Sequence, residues 1–461
     1  MTMESLQDGI DKAGSPIKLL WRPNAPAFVV PVMPPEISGW RNEQRSWRDT
    51  AAFMNQSFHM RQIYVQGPDV KRMLSMISVN DYEDFIIGRA KQFVPVTPRG
   101  DIITDAIVMR LEEDKFVVSG VAAAESWVRY HAESGKYDVK YMTDPNSGNR
   151  FAEPNRASPG MAAEGQEPLL FRYQVQGPAA MEIIKRAFDV PIPEVKFFHS
   201  TPVKLAGAEF KAFRHGMAGM PGFEFIGDYK DAYAVKDALL EAGRHSGITE
   251  VGGLAYFTGG VESGWMPIPT PGIYTGDELL DYRKFVGLHS YEGNVPMQGS
   301  YFSENIEDYY VTPFELGYGR LINTKHDFIG KEALLAKKDH VRRTKVTLLW
   351  DEADVRRVLG KTEDVGFFYS HAKDRMEIKG DMVGYSLNAA FIDAENTIIS
   401  LAYLDKEHAE PGTQIEVAFG QHPGSGTSPD AHRDFPRIKA VVTPTPFNSY
   451  ARERYRVNKA A

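Results

Sequence analysis

A chain of 461 residues, 43% hydrophobic and 25% charged, has the make-up of an ordinary globular protein and room for about two to four domains. Its 53 Lys and Arg against 61 Asp and Glu leave a net charge of −8, which argues against a surface built to coat nucleic acid or to sit on an anionic membrane. Cysteine is absent, and with it disulfides, thiolate zinc sites, Cys-ligated iron–sulfur clusters and a Cys nucleophile.

In chain order, the stretch MTMESLQDGIDKAG places Glu4, Asp8 and Asp11 ahead of any apolar run, so it does not read as a secretory signal, and the expected compartment is the cytoplasm. Residues 63–74 (IYVQGPDVKRML) start like a strand, turn at Gly-Pro and continue like a helix, whose start suits a proline. Strand-like runs follow at 105–111 and 115–121. The longest apolar run, Phe116 to Ala124, is broken by Ser119 and Gly120 and falls short of the roughly 18 residues of a membrane span. Segment 143–168 is rich in Pro, Gly and polar residues. Residues 173–184 (YQVQGPAAMEII) then repeat the strand, Gly-Pro, helix pattern, which suggests two similar α+β units rather than a solenoid. Helical periodicity marks 231–244 (DAYAVKDALLEAGR), ending at Gly243 or Gly247. A second irregular stretch, 262–300, is of the kind that forms lids or binding loops. Another helix opens in the run from Asp327 (DFIGKEALL). After about residue 340, short strands such as 344–350 and 397–404 alternate with turn residues, as in the loop 423–429, and predict a separate, mostly β module.

Several motifs fail on spacing. Gly360-Lys361-Thr362 resembles the tail of a phosphate loop, but Val355 stands where its first glycine belongs. No G-x-G-x-x-G follows a strand, and no G-x-S-x-G is present. The 12 His residues form neither H-E-x-x-H nor a pair one helical turn apart, so no metal centre is expected.

The informative constellation is 213–226, FRHGMAGMPGFEFI. Gly216, Gly219 and Gly222 would let the backbone approach a flat ligand closely. Alternation alone points Phe223 and Phe225 inward and Glu224 to solvent. A carboxylate buried between such neighbours would need donor partners.

R-x-G-x-x-G-x-x-G-x-E resembles the folate-binding signature of the glycine-cleavage T-protein (GcvT) family. Asn55-Gln-Ser-Phe-His-Met60, the VQGP pair, Gly317-Tyr-Gly319, the Asp327 helix and the C-terminal β module fall in the same order. GWRNEQRSW (39–47), AKQFVPVTPRG (90–100), RHGMAGMPG (214–222), VESGWMPIPTP (261–271) and NIEDYYVTPFELGYG (305–319) resemble one branch more closely: the tetrahydrofolate-dependent O-demethylases of vanillate and syringate. The resemblance spans nearly the whole chain. It implies an α+β, GcvT-like folate-binding fold of intertwined units plus a C-terminal β-barrel-like domain. A folate- and substrate-binding catalytic region would cover 1–338 and a mostly β domain 339–461.

By the same resemblance, Glu224 grips the pterin, whose parallel donors match a carboxylate's two oxygens, and Gln56 and Trp265 contact the cofactor. Tyr256, in GGLAYF, falls where the demethylases carry a catalytic Tyr. Its phenol, with a pKa near 10, suits protonation of a departing phenolate. His59 corresponds to a pocket His that could orient Tyr256 or the ether oxygen.

The chain also departs from that branch. Val121 stands in place of the Arg that holds the substrate carboxylate, and Phe28 and Val30 replace two pocket tyrosines. Losing that fixed cationic fork removes bidentate carboxylate recognition. The expectation is therefore an apolar pocket for a neutral methoxy-arene, a methylenedioxy lignan such as sesamin, or a chlorinated methoxybenzoate such as dicamba. Arg129 is a remote substitute clamp and reads better as a solvated surface residue. The paired acids of glycine cleavage become Thr104-Asp105, which lowers the aminomethyltransferase reading and its lipoyl-protein partner. A non-catalytic folate-binding factor would carry a Cys that this chain lacks. The expected partner is a small aromatic ether, with no nucleic acid, membrane or lipoyl protein.

Overall fold

A computed structural model describes residues 4–26, 30, 32–158, 160–361 and 364–457. The first α+β unit runs from the strand Arg61–Gln66 through the helix Val70–Met76. It continues through the antiparallel strands Ala90–Phe93, Ala106–Arg110 and Lys115–Gly120 to the helix Ala122–Ala132. Lys115–Gly120 returns to lie beside Arg61–Gln66. The second unit repeats the plan: strand Leu170–Gln176, helix Ala180–Ala187, strands Ser200–Leu205, Ala208–Phe213 and Gly222–Asp228, then helix Ala232–Gly243. Gly222–Asp228 lies back against Leu170–Gln176. The two VQGP segments thus occupy matching places. Pro68 and Pro178 stand just ahead of the N-cap residues Asp69 and Ala179 rather than inside the first helical turn.

The units are interlaced. The strand Ala51–Asn55 precedes the first unit in sequence but pairs inside the second sheet, between Leu170–Gln176 and Ile248–Glu250. The result is a six-stranded sheet and a five-stranded sheet.

Beyond residue 340 the chain forms a third sheet. Strands Asp381–Ile392, Arg375–Ile378, Gln414–Ala418, Arg437–Thr443, Arg343–Trp350 and Thr397–Asp405 are neighbours in that order, and the last pairs back with the first. This closes a six-stranded barrel, which leaves no open edge among those strands. A register shift between Ser386 and Asn388 supplies the bend that closure requires.

The largest core cluster takes Trp47, Phe53, Tyr173 and Phe225 from the interlaced units and Trp350 and Phe391 from the barrel. The helix Trp40–Asp49 lies at that seam: Trp40 meets the ring of Phe391 at 6.0 Å, and Gln44 Nε2 donates to the Phe391 carbonyl at 3.0 Å. The helix expected from Asp327 begins at Lys331, because Gly330 adopts a left-handed conformation as its N-cap. Among the described residues, no helix is long and apolar enough to cross a membrane.

Candidate active site

The strands Leu170–Gln176 and Gly222–Asp228 pair with Gln174 opposite Glu224 and Arg172 opposite Ile226. Alternation puts Phe171, Tyr173, Val175, Phe223 and Phe225 on one face, against the core. Arg172, Gln174, Gln176 and Glu224 share the other face. That face is covered by protein, so Glu224 is fully buried rather than turned to solvent. Arg172 sits diagonally across the ladder, within reach of a long side chain. Its Nε donates to Glu224 Oε1 at 2.6 Å and its Nη2 lies 2.5 Å from the same oxygen. His215 Nδ1 lies 3.4 Å from Oε2, and Gln174 Nε2 lies 3.5 Å from it. Burial alone would raise the Glu224 pKa. The Arg172 charge and the hydrogen bond with His215 outweigh burial and hold the carboxyl below its ordinary value.

Tyr256 is completely buried on the helix Gly253–Ser263. Its Oη lies 2.8 Å from His59 Nδ1 and 3.0 Å from Met217 Sδ. The two rings meet edge to face, with centroids 5.2 Å apart. Burial, then the nearby Arg172 charge, pushes the His59 pKa down to about 3, so the imidazole is neutral near pH 7. Burial pushes the Tyr256 phenol upward. The phenol therefore keeps its proton more firmly than the free side chain assumed in the sequence reading.

A cavity of about 610 Å³ opens between the two sheets, with walls that include Gln56, Val121, Arg172, Met217, Trp265 and Lys345. Tyr256, His59 and Glu224 lie one side chain behind this wall, in contact with its members Met217, Gln56 and Arg172. Trp265 Nε1 donates to Asp105 Oδ2 at 3.2 Å, and Tyr318 Oη donates to the same oxygen at 2.7 Å. Asp105 Oδ1 is buried with no hydrogen-bond partner. Burial outweighs those two donors and raises the Asp105 pKa. Lys345 reaches in from the barrel, donates to the Gly264 carbonyl at 2.7 Å and is pushed down to about 8 by burial.

Two expectations need correction. The pocket is not uniformly apolar: Val121 does line it, but Arg172 stands beside it, with Nη1 donating to Ser119 Oγ. Val30 is fully buried in the main core rather than on the cavity wall, and Phe28 lies outside the described residues. The glycine loop faces two ways: Gly216 and Gly219 line the cavity, and the loop also packs tightly against the rest of the chain. A Cβ on Gly216 would fall 1.9 Å from Gln176 Nε2, and one on Gly222, at φ +141°, 1.9 Å from the Val175 carbonyl. Arg129 is half exposed and lies 3.6 Å from Glu133.

Sequence reading missed Arg172, Tyr318 and Lys345. For Arg172 the available signal was the alternating polar series Arg172, Gln174, Gln176 inside a β-rich run, and for Tyr318 its place inside Gly317-Tyr-Gly319.

The arrangement fits a reduced pteridine with a polar edge. It offers the Gln56 amide, an indole wall, one unspent carboxylate oxygen at Asp105, the ionised Glu224 carboxylate directly behind the wall, and a volume in the range of small-molecule sites. Concave and lined with convergent polar groups, it belongs to a protein that binds and transforms a small organic molecule.

The family model described as GCVT N-terminal domain matches residues 32–268. The chain is 37% identical to a syringate O-demethylase of Sphingobium sp. (strain NBRC 103272 / SYK-6), with 98% of each chain covered. It is 27% identical to a sesamin methylene transferase of Sinomonas sp. (strain No.22), over 85% of this chain and 87% of the relative. The glycine cleavage system aminomethyltransferase T from Bartonella henselae superposes with a TM-score of 0.60 at 18% identity, covering 91% of this chain and 92% of that one. The chain belongs to the GCVT family. It is a tetrahydrofolate-dependent one-carbon transferase with the fold of that family.

Proposed function

We propose that this enzyme moves the methyl group of an aromatic methyl ether to N5 of tetrahydrofolate. The observation that carries the reading is the Tyr256–His59 pair, a protonated phenol held 2.8 Å from a neutral imidazole against the cavity wall. Demethylation of an aryl ether expels a phenolate, a poor leaving group that needs a proton. Tyr256 supplies that proton to the aryl oxygen. It is restored by the proton shed at the accepting nitrogen, so the net reaction is balanced. With Nδ1–H donating to Tyr256 Oη, His59 would leave the phenol's own hydrogen free for the ether. Met217, an adaptable side chain in contact with that hydroxyl, would move aside on binding.

Bound tetrahydrofolate supplies the nucleophilic nitrogen. Glu224, Gln56 and Trp265 would hold it, and Val121 would form the apolar wall beside the aryl ring. Binding both partners side by side between the sheets would orient them, an effect worth about 7–11 kcal/mol in favourable systems. The reading needs no lipoyl-bearing protein and puts the reaction in the cytoplasm.

The 37% identity to a syringate O-demethylase supports methyl transfer, and the 27% identity to a sesamin methylene transferase supports methylene transfer as the second reading. Incubation with tetrahydrofolate and a panel of methoxy- and methylenedioxy-arenes, with the folate product identified by mass, separates the two. The expected product is 5-methyltetrahydrofolate. A 5,10-methylene product favours the second reading, and no folate product from any aryl ether refutes both.

A further inference from the structure

Transfer chemistry leaves Arg172 unexplained. Its guanidinium is committed to Glu224 on the neighbouring strand, yet it also lines the cavity and donates to Ser119 at the end of the other sheet. Val121, which stands where the resembling demethylases carry the Arg that holds the substrate carboxylate, lines the same cavity. The chain carries a net charge of −8, yet Arg89, Lys91, Arg172, Arg320 and Lys345 line this cavity against Asp81 and Asp105. Such a cavity draws in anions.

We infer that Arg172 recognises the carboxylate of an aromatic acid substrate, and that its pairing with Glu224 makes acid and folate bind cooperatively. This rests on the proposed reading that Glu224 receives the pteridine. An Arg fork matches a carboxylate with two parallel hydrogen bonds. Each ligand claims one half of the Arg172–Glu224 ion pair. The first to bind must part the halves, and the second finds its half already released. Linkage makes the gain identical in both directions. A neutral ether has no use for the guanidinium and gains nothing. The substrate class that follows is a methoxybenzoate, its acid held from the second sheet instead of from position 121.

The test titrates the full-length protein by calorimetry with 3-methoxybenzoate and with its methyl ester, each with and without saturating tetrahydrofolate. The acid is expected to bind about 5–150-fold more tightly when folate is present, and folate to tighten by the same factor with the acid. The ester is expected to show neither effect. Arg172→Lys keeps the charge beside Glu224 but loses the fork. It is expected to bind folate while losing about tenfold or more of the acid-over-ester preference. If that variant does not fold, Ser119→Ala removes the guanidinium's partner on the other sheet, and it is expected to change affinity for the acid and not for the ester. Equal acid affinity with and without folate, where folate itself binds, overturns the inference. So does an unchanged acid-over-ester ratio in the folded variant. Failure of the wild-type protein to bind folate overturns the underlying pteridine reading instead, and the inference falls with it.

Discussion

At the smallest scale the proposed chemistry falls to two residues in contact, Tyr256 and His59. Tyr256→Phe removes one hydroxyl from a buried ring, so we expect turnover to fall about 10²–10⁴-fold with folate affinity preserved, as read by product formation and calorimetry in parallel. Undiminished turnover would remove Tyr256 from the reaction. His59 gives a pH signature with a definite sign. Its folded pKa of about 3 lies below the ordinary histidine value of 6.5, so between those values the unfolded chain holds more protons than the native one. Stability must therefore fall as pH drops from 6.5 toward 3, with no contribution to the slope above that window. Urea unfolding at a series of pH values should show that slope in the wild type and a shallower one in His59→Asn. Glu224→Ala is expected to weaken folate binding. It also strands the Arg172 guanidinium in a buried site, a loss of the kind that costs about 3–5 kcal/mol. Folate affinity equal to wild type in a folded Glu224→Ala protein would contradict the pteridine role.

At the level of strands and helices, Gly222 owes its place in the glycine loop to backbone contact, whereas Gly216 packs against the Gln176 side chain. Gly222 has φ +141° and meets the Val175 carbonyl, so Gly222→Ala should lower the melting temperature markedly and disturb the register that carries Glu224. A melting curve superimposable on wild type would refute that account. The same elements show what could be read in advance. Both VQGP strands, the helix at 232–243 and the barrel strands were legible because local alternation and turn residues define them. Strand Ala51–Asn55 was not assignable to the second sheet, since a pairing between distant segments leaves no local mark. Arg172 was missed for a related reason: inside a β-rich run a lone Arg reads as a solvent-facing position. Only the covering of that face by another sheet turns it inward. Asp105 is visible in the sequence only as the acid left beside Thr104, and Tyr318 and Lys345, which face it, come from parts of the chain that meet it only in the folded state.

For the molecule as a whole, we propose that the division at 338/339 marks a change of topology rather than two separable folding units. Trp47 and Phe53 share one core with Trp350 and Phe391, Arg45 pairs with Asp393 across the seam, and the barrel lends Lys345 to the cavity. Fragment 1–338 expressed alone should lack near-ultraviolet circular dichroism and bind a hydrophobic dye, the marks of a loosely packed state. A cooperatively melting, folate-binding fragment would show the opposite. The interlacing of the two units carries a further cost during synthesis. Residues 51–55 leave the ribosome long before Leu170–Gln176 and Ile248–Glu250 exist to receive them. An apolar strand with unmet backbone groups must wait exposed while the first unit is completed around it. Such a delay slows maturation and invites mispairing with other nascent chains, so the yield of active enzyme in a cell should depend on chaperone capacity more than on the stability of the finished fold.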